Sequence, residues 1–220
     1  MVITLCSLIL HENVFFATRE IGRLYETGRY LHNYALSYAL GLALSPYHNA
    51  TAVPRYQEEL SALNTAALYV MPARPVAVEF EIATFKYADN RYRLQMEQGS
   101  RNTPSFGRAK ELAVGSRFEF AILSPQRLRL PQWVRLGKWM SKAQLLINSV
   151  ETVERIGEGI FTAAFPVNPL DLPTEVRLLG YDLISLPPVS LLDNVTLEGP
   201  YQRLADGRAI PAHLAYRFPA

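Results

Sequence analysis

The chain opens on a mostly apolar run, residues 2–11 (VITLCSLILH), rich in Leu and β-branched side chains. That length and composition predict a buried strand. Residues 12–28 lose the pattern, mix Phe15, Phe16 and Tyr25 with arginines and glycines, and read as a structured loop. From 29 to 42 the period becomes helical: Leu31, Tyr34, Ala35, Tyr38 and Leu42 share a stripe, with Thr27 as the candidate N-cap. Tyr30, Tyr34 and Tyr38 are four apart and line one side. Such a row packs into a core with its hydroxyls at the rim, or offers ring faces for base stacking; the spacing leaves both open.

Residues 46–53 read as a loop and 56–63 as a short helix. Strands are predicted over 66–71 and 76–87, separated by a turn at 72–75. In the second, Val76, Val78, Phe80 and Ile82 form one face and Glu79 and Glu81 the other. Residues 88–116 break the alternation, and a strand resumes over 117–123. A long polar excursion between two strands reads as a projecting hairpin, since loops of that length are commonly functional. Residues 125–144 are basic and carry both tryptophans. Short apolar runs at 145–150, 160–165, 176–184 and 189–197 follow, with prolines between them. They predict a small, mostly β C-terminal portion, divided from the rest near 143–155.

Charge changes the picture most. From Lys86 to Lys142 there are twelve Lys/Arg against four acids, a net +8, while residues 1–85 carry −2 and 143–220 carry −4. The whole-chain value of +2 hides this asymmetry. Eighteen of the 22 basic residues are Arg, whose planar fork suits phosphate and stacks on bases. A basic stretch inside a near-neutral chain points to a polyanion, with a solvated loop or an acidic protein partner as the bland alternatives.

Other classes fall away. There is no GxxxxGK[ST], GxGxxG or GxSxG, and His11, His32, His48 and His213 make no metal-ligand spacing. Glu58–Glu59 and Glu79/Glu81 read as solvated carboxylates. No metal or cofactor is expected. The lone Cys6 excludes an internal disulfide and reads as a small buried hydrophobe in a reducing compartment, which makes the cytoplasm the expected location. No apolar stretch reaches membrane-spanning length, so no membrane partner is expected.

Three segments combine cations with flat side chains, the pairing that binds phosphates and unstacked bases. The first is 12–30, with Arg19, Arg23, Tyr25 and Arg29. The second is 91–110, with Arg91, Arg93, Arg101, Arg108 and Lys110. The third is 133–142, with Trp133, Lys138, Trp139 and Lys142 around Gly137, where close backbone approach or an unusual dihedral is anticipated.

The block LILHENVFFATREIGRLYETGRYLHNYALSYALG (8–41) and the segment WVRLGKWMSKAQL (133–145) resemble the type I-D CRISPR Cascade subunit of the Cas-five family, within the RAMP superfamily of ferredoxin-like, RRM-type RNA binders. The likeness runs over nearly the whole chain. It implies an α+β, ferredoxin-like domain over 1–143 with a projecting β-hairpin thumb inserted at about 88–116, and a smaller β-rich portion over 144–220. It implies a non-catalytic subunit of an antiviral ribonucleoprotein that caps the 5′ handle of CRISPR RNA and lies next to the protospacer-adjacent motif of target double-stranded DNA. Its neighbours would be the Cascade backbone subunit and a large Cas-ten-like subunit. On this resemblance Arg19, Arg23, Tyr25 and Arg29 serve the handle; Arg91, Arg93, Arg101, Arg108 and Lys110 the thumb and RNA backbone; Lys138, Trp139 and Lys142 the handle or motif-proximal DNA. The alternative is a metal-independent endoribonuclease processing precursor RNA, with Tyr25 or Tyr30, His32 and Lys138 as base, acid and charge stabiliser.

Overall fold

A computed structural model of the chain describes residues 1–44, 54–86 and 106–219. The fold is mostly β, with short helical segments at Asn33–Ala39 (α1), Tyr56–Leu60 (α2) and Ala62–Thr65 (α3). The opening apolar run is strand β1 (Val2–Leu10), buried over most of its length because it lies inside a sheet. It pairs antiparallel with β8 (Arg117–Ser124) on one side and β10 (Ser141–Thr152) on the other. Strands β4 (Tyr69–Val70) and β5 (Arg74–Ala77) both add to β8, and β9 (Trp133–Leu136) to β10, giving the order β4–β8–β1–β10–β9. β4 therefore runs parallel to β1 with β8 between them, and the three helical segments lie in the crossover. That is a split β–α–β unit. The second crossover, between β8 and β10, carries β9 in place of a helix.

The strand anticipated over 76–87 is divided between two sheets. Pro75 lacks an N–H to donate, which suits β5 to an edge, and its pairing slips between Pro75 and Ala77. At Glu79 the chain turns away: its N–H donates to Ser116 Oγ at 3.2 Å and its carbonyl accepts from Ala113 at 2.9 Å. It then enters β6 (Phe80–Lys86), which pairs antiparallel with β7 (Phe106–Leu112). Among the described residues the expected apolar face is only partly covered: Val78 packs against the core, while Val76, Phe80 and Ile82 are exposed. The anticipated strand over 66–71 shortens to two residues because Ala66 is the C-cap of α3 and Ala67 takes φ +50°.

A third sheet is built from β11 (Ile156–Thr162), β12 (Arg177–Ile184), β13 (Leu191–Arg203) and β14 (Ala209–Pro211). β13 is central, and its buried Val195 and Leu197 join Phe120, Ile122 and Leu36 in one continuous core. The division anticipated between residues 143 and 144 falls inside β10, which continues along β1 to Thr152. Cys6 is buried there, and loss of solvation pushes its thiol up to about 12.

A polar node ties the C-terminal segment to the first helix. Asp171, fully buried in a 3₁₀ turn at Pro169–Asp171, accepts from Asn33 Nδ2, Tyr69 Oη and the Arg217 amide, each at 2.8 Å. Burial raises its carboxyl to about 6 despite those three donors. The N-cap of α1 is His32, not Thr27: its Nδ1 accepts from the Tyr34 amide at 3.2 Å. Thr27 is buried instead, accepting from the Phe16 amide.

Candidate nucleic-acid interface

The segment read as a loop over 12–28 contains a β-hairpin, β2 (Arg19–Ile21) and β3 (Leu24–Glu26), turned at Gly22 with φ +60°. β3 pairs in parallel with β7, so Tyr25 sits beside Ala109 and Glu26 beside Lys110. Paired residues share a face of the sheet. Arg19, Glu26, Arg108 and Lys110 therefore lie together, although Arg19 and Lys110 are 91 positions apart in the chain.

Glu26 organises this face. Its carboxylate meets Arg19 at 2.5 Å and Lys110 at 3.5 Å, and the Arg19 hydrogen bond above all holds it below the usual carboxylate range. Lys110 also stands 4.3 Å from the centre of the Phe80 ring. The opposite face carries Tyr25 stacked with Phe85, centroids 6.3 Å apart. Phe85 lies across Gly107, where a Cβ would come within 2.5 Å of its ring. Arg19 keeps a side-chain exposure of 68% and Arg108 is exposed, so positive charge remains within reach of a ligand.

The second surface is the β9–β10 turn. Gly137 has φ +71°, and a Cβ there would lie 2.6 Å from the Phe15 carbonyl. Both anticipated reasons for a glycine therefore apply. The close approach lets the Lys138 amide donate to Phe15 O at 2.8 Å and stacks Trp139 on Phe15, centroids 4.6 Å apart. Trp139 is nonetheless 53% exposed. Lys142 stands 3.9 Å above Trp133, whose edge meets His11. Among the described residues no carboxylate pairs with the Lys138 or Lys142 side chain. Residues 14–18 join the two surfaces: Val14 bridges Leu112, Phe15 holds the Gly137 turn, and Thr18 bonds Glu26.

Of the residues singled out in the sequence, Arg19, Arg23, Tyr25, Arg108 and Lys110 are gathered on one small sheet, and Lys138, Trp139 and Lys142 on the adjoining turn. Arg29 is not with them. It lines a polar pocket with Tyr30, Arg74, Asp193 and Arg208, where the segment before the first helix and β5 meet the third sheet. Arg91, Arg93 and Arg101 lie outside the described residues, as does the loop at 46–53. Their excursion leaves from the paired ends of β6 and β7.

His32 is buried and both ring nitrogens are engaged, Nδ1 at the helix cap and Nε2 with Val189 O at 3.2 Å. Burial lowers its pKa to about 4. The tyrosine row resolves mainly toward packing: Tyr34 is buried, Tyr38 donates to Glu59, and Tyr30 donates to Asp193 at 2.6 Å. Contributions from Tyr56, Pro187 and Pro188 beside that row have no local signal in the sequence. Among the described residues no three His, Cys, Asp or Glu side chains converge as a metal site, and no helix is long and apolar enough to cross a membrane.

No curated protein matches this sequence. A chain in the cryo-EM structure of the Type III-B Cmr-beta bound to cognate target RNA and AMPPnP is similar in fold, with a TM-score of 0.44, 11% identity, and coverage of 90% of this chain and 86% of that one. The sequence profile of the family described as "Type I-D CRISPR-associated protein Cas5/Csc1" matches residues 1–219. A match spanning the chain from the first strand to the C-terminal segment establishes that this protein belongs to the type I-D CRISPR-associated Cas5/Csc1 family.

Proposed function

We propose that the chain is the RNA-capping subunit of a type I-D Cascade complex. It binds the 5′ handle of CRISPR RNA without cutting it and lies next to the protospacer-adjacent motif of target DNA. The observation that carries this reading is the assembly of Arg19, Arg108 and Lys110 on one exposed face, joined through residues 14–18 to Lys138, Trp139 and Lys142. Cations supply sequence-independent attraction to phosphates, and an exposed Trp supplies stacking. The split β–α–β order of the large sheet supports a ferredoxin-like RAMP core. The β6–β7 pair, from whose ends the chain departs and returns, supports a projecting thumb. Backbone and large subunits are the protein partners implied.

The non-catalytic reading is supported by the engagement of both His32 nitrogens and by the Tyr30 hydroxyl bonding Asp193 in a different pocket. The test is a pull-down of tagged protein from its native operon context with sequencing of bound RNA 5′ ends. Uniform ends beginning with a fixed repeat-derived handle, lost in Arg19→Ala/Arg23→Ala, are expected. Random ends or no RNA refute capping. Specific cleavage of labelled repeat RNA in EDTA, lost in His32→Ala, would instead establish the endoribonuclease.

A further inference from the structure

Behind the Gly137 turn is a cleft of about 370 Å³, at the small end of the range for ligand pockets. Its walls come from five separate parts of the chain, the Gly137 turn among them. Phe16 stands on the strap between the two cationic surfaces, Tyr34 and Tyr38 on α1, Tyr56 on α2, and Pro187 and Pro188 on the loop before β13. The rings crowd together: Tyr34 and Tyr56 have centroids 4.9 Å apart, Tyr38 and Tyr56 6.3 Å. The cleft continues into an open groove sharing Phe16, Tyr38 and Gly137, and Arg135, Lys138 and Lys142 line that groove.

We propose that this cleft receives a single unstacked nucleobase of the RNA strand whose phosphates lie along Arg135, Lys138 and Lys142. The inference rests on the RNA-binding reading above and names a subsite within it. Two features select a nucleobase over an apolar peptide side chain. The walls are mostly flat rings and prolines, which stack on any base. The mouth is cationic, and Lys138 and Lys142 have no carboxylate partner among the described residues, so the site complements a polyanion.

The test uses the purified full chain and single-stranded uridine 12-mers carrying one 2-aminopurine at each successive position. Fluorescence of 2-aminopurine falls when the base stacks. One position, or two neighbours, should be quenched on binding. Ala35 is exposed on α1 at the cleft, so Ala35→Trp fills the cleft without entering the core. It should restore fluorescence at that position and weaken binding by about 5- to 150-fold, the loss of one stacked base. Ala17→Trp, from the other side of the cleft, should do the same. Neither should change the salt dependence, whereas Lys138→Ala/Lys142→Ala should lower the slope of log affinity against log salt by up to about 2 and weaken every oligonucleotide alike. Salt-dependent binding with equal quenching everywhere, or with quenching untouched by both tryptophan variants, refutes the base site and leaves the RNA-binding reading standing. No binding by the unmodified chain overturns both.

Discussion

Replacing Asp171 by Asn should change the way stability depends on pH. In the folded chain this carboxyl titrates at about 6, against an ordinary 3.8, because burial costs its ionised form more than three hydrogen bonds return. The folded state therefore holds a proton that the unfolded chain has released. That contribution is fully present below the unfolded value and is lost as pH rises through the folded one. Between pH 4 and pH 7 it amounts to roughly 2–3 kcal/mol at about 1.4 kcal/mol per pKa unit. His32 does the opposite. Burial lowers it from 6.5 to about 4, so its contribution is present above 6.5 and is lost as pH falls toward 4, again by roughly 2–3 kcal/mol. The two groups nearly cancel in the wild type. Asp171→Asn leaves the His32 slope unopposed, so its stability should climb by roughly 2–3 kcal/mol relative to wild type between pH 4 and 7. His32→Gln should fall relative to wild type by a similar amount. Urea unfolding followed by tryptophan fluorescence at half-unit pH steps reads both, and the surface carboxylates common to all three proteins drop out of the differences. Parallel wild-type and Asp171→Asn profiles would refute the buried, proton-holding carboxyl, whatever the constant offset between them.

The remaining expectations concern the two surfaces. Arg108→Ala/Lys110→Ala should lower RNA affinity and reduce the salt slope by up to about 2, measured by filter binding at ~50 to ~200 mM salt; an unchanged slope removes this face from the phosphate path. Gly137→Ala should destabilise the chain by about 1–3 kcal/mol in chemical denaturation, because a left-handed backbone and contact with the Phe15 carbonyl both oppose a Cβ. A neutral result would mean the turn does not clamp Phe15. Trp139→Ala should weaken RNA binding by about 1–3 kcal/mol while costing the fold about 0.5–1.5 kcal/mol, the loss of its stack on Phe15. Unchanged RNA affinity despite a loss of stability would make Trp139 a packing residue and nothing more.

The elements that local pattern specifies were legible. The apolar run of β1, the strand at 117–123, the short helix after residue 56 and the β-rich end all follow from period and punctuation, which act over a few residues. The charge asymmetry was legible too, because net charge is a sum and needs no fold. Partnership was not. Thr27 has a good capping side chain, yet the chain starts its helix at His32, because Thr27 is held beside Phe16 and Lys110. The run at 76–87 alternates as one strand, yet Pro75 and the Glu79–Ser116 contact divide it between two sheets. Arg29 is six residues from Arg23 and belongs to another pocket, while Lys110 is 91 residues from Arg19 and shares its carboxylate. Residue types and spacing thus determined which segments form strands and where positive charge accumulates. Only the long-range pairing of β3 with β7, and the close approach at Gly137, decided which cations and rings face one ligand, because a sheet joins residues by hydrogen-bond register and not by their distance along the chain.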